Sequence, residues 1–109
     1  MNLQQIEQHF FASSQISIQD IPKLASDGFK TIICNRPDQE DLDQPLFNVI
    51  QETALHYGIQ SHYVPITPPT IEQSSIDAMR EVLKTAPRPI VAYCRHGTRS
   101  IRLYNLALL

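Results

Sequence analysis

Ile90-Val91-Ala92-Tyr93-Cys94-Arg95-His96-Gly97-Thr98-Arg99-Ser100 is the stretch that decides how this chain is built. Ile90 to Tyr93 is an unbroken apolar and β-rich run, the mark of a strand covered on both faces. Gly97 permits a tight turn. From about Ser100 the apolar residues Ile101, Leu103, Tyr104, Leu106, Ala107 and Leu108 recur at helical spacing. Strand, short glycine-containing loop and helix, in that order, aim several backbone N–H groups and the positive end of the helix dipole at one point. An anion is favoured there, and so is a thiolate, the position of Cys94. Arg99 brings a planar fork able to hold two oxygens of a tetrahedral anion. Ser100 brings a hydroxyl able to donate to the sulfur. Arg95, His96, Gly97 and Thr98 complete the predicted anion-binding loop. An inert buried thiol is the ordinary role of a lone cysteine, but such a thiol needs no two arginines and a histidine in the five residues after it.

Upstream of that stretch, short β-like runs alternate with helical ones. A first strand is predicted near Phe10-Phe11-Ala12. A helix follows from Ser17, or from nearer Asp20 because Pro22 suits only a first turn, to Asp27, with Gly28 as its stop. Thr31-Ile32-Ile33-Cys34 is a buried-strand pattern, and the polar, acidic segment 35–44 is predicted as loop. Pro45 opens a second helix with Leu46, Val49, Ile50, Ala54 and Tyr57 on one face, closed by Gly58. Ser61 to Ile66 is predicted as strand, and Pro68-Pro69 as loop. A third helix runs from the N-cap candidate Ser75 to Thr85 with Ile76, Met79, Val82 and Leu83 as its stripe. Pro87 and Pro89 end it. The alternation predicts a single three-layer α/β domain over residues 1–109, with a central, mostly parallel sheet flanked by helices. Sites in such sheets lie beyond the carboxyl ends of the strands, where Cys34 and Cys94 both fall. The apolar pattern running to Leu109 predicts a last helix that continues further or is covered by a partner.

Bulk properties narrow the function classes. A length of 109 residues suits one core, and 42% hydrophobic residues suffice to pack it. A net charge of -2 argues against a nucleic-acid binder. No apolar run is long enough to span a bilayer, and Met1 to Glu7 lacks the features of a secretory signal, so the expected setting is cytoplasmic with reduced thiols. Two cysteines are too few for a disulfide scaffold or a cysteine-rich zinc site, and His9, His56 and His62 show no metal spacing, so neither metal nor other cofactor is expected. The expected partner is a small anionic substrate. Asn35, Arg36 and Asp38 directly follow a strand and are candidates for the pocket rim. Arg36 would be a second cation there, and Asp38, Glu40, Asp41 and Asp43 would repel highly charged substrates. Cys34 is either a small buried residue or a resolving thiol for oxidised Cys94, if their Cα atoms lie within about 7 Å.

Val91 to Ser100 resembles the signature loop of the cysteine-dependent phosphatases, with its Cys…Arg-Ser arrangement. A wider resemblance takes in Phe29 to Asp38, Tyr63-Val64-Pro65-Ile66 and the Cys94 loop. In that order these segments look like the bacterial beta-lactamase-hydrolase-like, or DUF442, phosphatase-like family, whose members resemble dual-specificity phosphatases in fold. The resemblance implies hydrolysis of phosphate monoesters by a Cys94 thiolate, with Arg99 stabilising the transition state. Two features depart from that pattern. Cys94 and Arg99 enclose four residues, one fewer than the usual phosphatase loop and the number found in rhodanese-type sulfurtransferases, whose cysteine carries a persulfide. The aspartic acid that dual-specificity phosphatases use to protonate the leaving oxygen is also missing: Pro68 stands where it would fall, and the next acidic residue, Glu72, is the candidate acid. A sulfurtransferase and a catalytically weak anion-binding or redox-sensing module therefore stand as alternatives.

Overall fold

The computed structural model describes residues 1–109. At its centre is Ile90–Tyr93 (β5), all four residues of which are essentially inaccessible to solvent. Thr31–Cys34 (β3) and Phe10–Ser13 (β2) pair with it in parallel on either side. Gln60–Tyr63 (β4) extends the sheet parallel to β3, and Leu3–Glu7 (β1) closes the other edge antiparallel to β2. The strand order is β1-β2-β5-β3-β4. Parallel strands in register bring Ser13, Tyr93, Cys34 and Tyr63 to the same carboxyl edge.

The pleat sorts side chains onto two faces. Ile32, Cys34, Val91 and Tyr93 pack with Leu24 of helix Ile21–Ser26 (α1) and with Ile50 and Ala54 of helix Phe47–His56 (α2). Ile33, Ile90 and Ala92 pack on the opposite side with Met79, Val82 and Leu83 of helix Gln73–Thr85 (α3) and Leu103 of helix Thr98–Ala107 (α4). Phe10 stacks on Tyr104 with ring centroids 4.0 Å apart, tying β2 to α4. This is the expected single α/β domain with helices on both faces of a mostly parallel sheet. No helix in it is long and apolar enough to cross a membrane.

Several boundaries differ from the sequence expectations, each for a local reason. β1 was not expected: its residues are mostly exposed, so it carries no apolar alternation to read. The first helix splits into a 3₁₀ turn at Ile18–Asp20 and α1, with Pro22 in the opening turn. Asp20 accepts from the Ser17 N–H at 2.9 Å, which fixes the entry to that turn. α2 starts at Phe47 rather than Pro45, and of its expected face only Ile50 and Ala54 are buried; Leu46, Val49 and Tyr57 are exposed. β4 ends at Tyr63, although Val64 and Ile66 beyond it are buried. Glu72, not Ser75, is the N-cap of α3. α4 opens at Thr98, two residues earlier than Ser100, and its last carbonyls are met by Arg80, whose Nε donates to Ala107 O at 3.0 Å.

Candidate active site

β5 ends at Tyr93 and Cys94 follows at once, so the thiol sits at the carboxyl end of the central strand, nearly inaccessible to solvent. Its own N–H donates to Ser13 O at 3.3 Å, prolonging the ladder with β2 by one step. The chain then turns back on itself. Gly97 adopts φ 98° and ψ -22°, a conformation that disfavours any side chain, and its N–H donates to Cys94 Sγ at 3.0 Å. Gly97 is at once the N-cap of α4, so the sulfur lies where the helix presents its unpaired N–H groups. Arg95, His96 and Thr98 are exposed around it, and Ser100 is fully buried with no partner for its hydroxyl.

Arg99 does not stand open. Its Nη1 and Nη2 donate to Oε2 and Oε1 of Glu40, both at 2.8 Å, and Nη1 also donates to Ile66 O at 3.2 Å. Glu40 Oε1 accepts in addition from Arg36 Nε at 2.9 Å. Arg36 is 3% exposed, so its charge must be met by the protein. Besides Glu40 it donates to Gln15 Oε1 and, at 2.8 Å, to Asp41 Oδ2. Asp41 in turn lies 3.6 Å from Arg95 Nη2. Three guanidinium groups and two carboxylates thus form one network over the Cys94 loop. The hydrogen bonds from Arg99, and then from Arg36, hold the Glu40 carboxyl below its ordinary 4.5, and Glu40 raises Arg99 above its own ordinary value.

The other candidates are placed as follows. Asn35 is fully buried rather than on a rim: its Nδ2 donates to Val64 O at 2.9 Å, joining the end of β3 to the segment after β4. Asp38 caps α2, accepting from the Phe47 N–H at 2.8 Å, while its own N–H donates to the Tyr63 hydroxyl. Cys34 is buried on the face of α1 and α2. Its thiol donates to Arg36 O at 3.2 Å, and desolvation pushes its pKa up to about 11, so it is held as a neutral thiol. Both cysteines are free. Glu72 is exposed on the wall of a cleft of about 190 Å³ that also includes Ile66, Thr67 and Thr70, and its carboxylate makes no hydrogen bond to the Cys94 loop. No group of three or more histidine, cysteine or acidic side chains is arranged to hold a metal ion.

Sequence reasoning named Glu40 and Asp41 only as charges that would repel substrate. Their pairing with Arg36, Arg95 and Arg99 was missed: the Glu40–Arg99 contact spans 59 positions and no local pattern announces it, and the Arg36–Glu40 and Arg36–Asp41 pairs, though local, lie in a loop with no regular periodicity from which to read them.

Comparison with known proteins places the family and the fold. A beta-lactamase hydrolase-like protein of Agrobacterium fabrum is 34% identical over 97% of the chain, and the chain spans about a quarter of that relative's length, 25%. The crystal structure of a candidate phosphatase from Neisseria meningitidis superimposes with a TM-score of 0.84 at 36% identity, covering 92% of this chain and 71% of that one. A DUF442 candidate phosphatase from Shewanella putrefaciens has the same fold, with a TM-score of 0.84 at 18% identity over 98% of this chain and 70% of the other. The family model described as "Beta-lactamase hydrolase-like protein, phosphatase-like domain" matches residues 2–108, and the chain belongs to that phosphatase-like family.

Proposed function

We propose that this domain hydrolyses phosphate monoesters with good leaving groups, through a Cys94 thiolate. The observation that carries the reading is the Gly97 N–H donating to Cys94 Sγ at 3.0 Å, at the N-terminus of α4. A sulfur that receives a backbone N–H and faces a helix N-terminus is favoured in its anionic, nucleophilic form. The same loop amides then serve the oxygens of a bound phosphate. In the first step Cys94 sulfur bonds to phosphorus and the ester P–O bond breaks, its electrons leaving with the alcohol oxygen. In the second, water attacks phosphorus and the S–P bond breaks, releasing inorganic phosphate and the thiolate. Arg99 stabilises the charge on the transferring oxygens, and the partnerless Ser100 hydroxyl is the donor available to the sulfur as it leaves.

Proton donation to the leaving oxygen is the weak part of this machinery. Glu40 is the acidic side chain that touches Arg99, but two guanidinium groups hold it ionised, so it has no proton to give at neutral pH. Glu72 makes no hydrogen bond or ion pair to the loop. The leaving oxygen therefore departs as an anion, and substrates with acidic alcohols, such as aryl phosphates, are turned over far better than alkyl phosphates. A missing acid costs roughly a hundredfold or more with poor leaving groups.

The test is a parallel assay with an aryl phosphate, with phosphoserine and with thiosulfate plus cyanide, using Cys94→Ser as the blank. The expected result is slow aryl phosphate hydrolysis, almost none of phosphoserine, and loss of both in the blank. Efficient phosphoserine hydrolysis would mean that an acid operates, with Glu72→Gln the first variant to make. Thiosulfate turnover well above aryl phosphate turnover would move the protein to the sulfurtransferases, whose loop length it shares.

A further inference from the structure

Glu40 meets Arg99 in a particular way. A guanidinium has five N–H bonds, two on each terminal nitrogen and one on Nε. Glu40 takes one from Nη1 and one from Nη2, and Ile66 O takes the second from Nη1. Nε–H and the second N–H of Nη2 have no partner in the protein, and these two lie parallel along one edge of the guanidinium plane. The end of the fork is thus occupied by protein, and the side of the fork is left for an oxyanion.

Glu40 is itself firmly held. Its Oε1 also accepts from Arg36, which is buried and further fixed by Gln15 and Asp41. Gln39, immediately before it, is the one non-glycine residue with a left-handed backbone, φ 66°. That conformation costs energy for a side-chain-bearing residue and persists where surrounding contacts over-determine it. The chain is bent at Gln39, and the bend delivers Glu40 to both arginines. A carboxylate that merely screened the pocket would have no need of a buried second arginine behind it.

We infer that Glu40, anchored by Arg36, is a positioning residue that holds the end of the Arg99 fork so that its Nε and Nη2 edge faces the anion bound by the Cys94 loop. The inference rests on the reading of Arg99 as an oxyanion-binding group. It also makes an unusual prediction of sign. Removing a negative charge beside an anion site strengthens anion binding by Coulomb's law alone. Loss of a positioning carboxylate weakens it instead, because Arg99, freed from its hold, must be ordered again at each binding event.

The experiment is alkylation of Cys94 by iodoacetate, an anion, and by iodoacetamide, its neutral counterpart, followed by mass spectrometry of the Cys94 peptide. The ratio of the two rates reports anion guidance and does not depend on phosphatase turnover. Arg99→Ala should lower the ratio strongly. Glu40→Ala and the near-isosteric Glu40→Gln should lower it about fivefold, and Glu40→Ala should have no further effect when added to Arg99→Ala. Asp43→Asn removes a charge from the same loop at a side chain without hydrogen bonds or ion pairs, so it should leave the ratio equal or slightly higher. An unchanged or increased ratio in folded Glu40→Gln would overturn the inference and make Glu40 a screen over the pocket. An effect of Glu40→Ala that persists undiminished without Arg99 would overturn it in favour of a purely structural role. An Arg99→Ala ratio equal to that of the native protein would instead overturn the reading of Arg99 on which the inference rests.

Discussion

Gly97→Ala probes both the shape of the loop and its chemistry, because one backbone position serves both. At φ 98° and ψ -22° the residue lies outside the compact left-handed basin that side-chain-bearing residues tolerate. Space is not the obstacle: an added Cβ would meet the Ser13 carbonyl carbon and oxygen at 3.5 Å, ordinary contact. The cost is torsional, of order 1–3 kcal/mol for a residue held in such a region. It is partly offset by the smaller entropy of the unfolded alanine chain, about 0.4–1 kcal/mol. A net loss of about 1–2 kcal/mol follows, equivalent to a fall in Tm on the order of 5–10 °C for a domain of this size. The loop has one other course, which is to relax its dihedrals and give up the Gly97 N–H bond to Cys94 Sγ. Urea or thermal unfolding measures the first outcome, and the rate of Cys94 alkylation by iodoacetamide measures the second. Either stability falls by the stated amount with alkylation preserved, or stability is partly spared and alkylation slows. A Gly97→Ala protein with native stability and native alkylation would refute the argument that the turn conformation and the sulfur contact are one feature.

Other outcomes follow from individual contacts. Arg99→Ala should lower aryl phosphate turnover about 10²–10³-fold, the usual loss for a preorganised donor to a developing oxyanion, as read by steady-state kinetics. Cys34, buried and held as a neutral thiol with its pKa pushed up to about 11, should alkylate far more slowly than Cys94 at neutral pH, and peptide mapping after peroxide treatment should reveal no Cys34–Cys94 disulfide. Glu40 has a folded pKa below its unfolded value of about 4.5, so its contribution to stability is present above that pH and is lost as the pH falls through the lower folded value. The Tm difference between the native protein and Glu40→Gln should therefore be largest near neutrality and shrink below pH 4.5; a difference that grows on acidification would contradict the ion-pair assignment.

What the sequence made legible was set by periodicity. β5 and β3 are short, apolar and β-branched, and their burial on both faces leaves one conformation consistent with the pattern. α3 and α4 carry apolar stripes of which the structure buries Met79, Val82, Leu83, Leu103, Tyr104 and Ala107, while Ile76, Ile101 and Leu106 are half-buried and Leu108 is exposed. The Cys94 loop was legible because its chemistry is local: thiol, glycine turn and helix start lie within a few residues. β1 was invisible because an antiparallel edge strand with exposed side chains has no hydrophobic signature, only backbone partners on β2. Asn35 was misread as rim because its polarity points to solvent in any local reading, whereas its amide is consumed by Val64 O inside the protein. In the acidic segment 35–44 charge was visible and pairing was not. A run of carboxylates reads as a solvated face unless the arginines that meet it are known; Arg36 lies within the segment, but Arg95 comes from the loop after β5 and Arg99 from α4.

The network over the loop bears on how the proposed reaction would proceed without the usual aspartic acid. A general acid must be protonated when the substrate binds, which requires an environment that raises its pKa. Glu40 is the acidic residue that hydrogen-bonds Arg99, and its surroundings do the reverse: two guanidinium groups lower its pKa. One carboxylate cannot both neutralise Arg36 and Arg99 and carry a proton. Orientation of Arg99 has therefore been gained at the expense of proton donation, and the consequence falls on the substrate. Turnover should depend steeply on leaving-group pKa across a series of substituted aryl phosphates, approaching the limit set by departure of an unprotonated oxygen. Glu40→Gln cannot relieve this dependence, since an amide donates no proton to the leaving group, so the slope should be the same in that variant while the absolute rates fall. A flat leaving-group dependence in the native protein that steepens in Glu40→Gln would show that Glu40 gives up a proton in the reaction, against its pairing with two arginines.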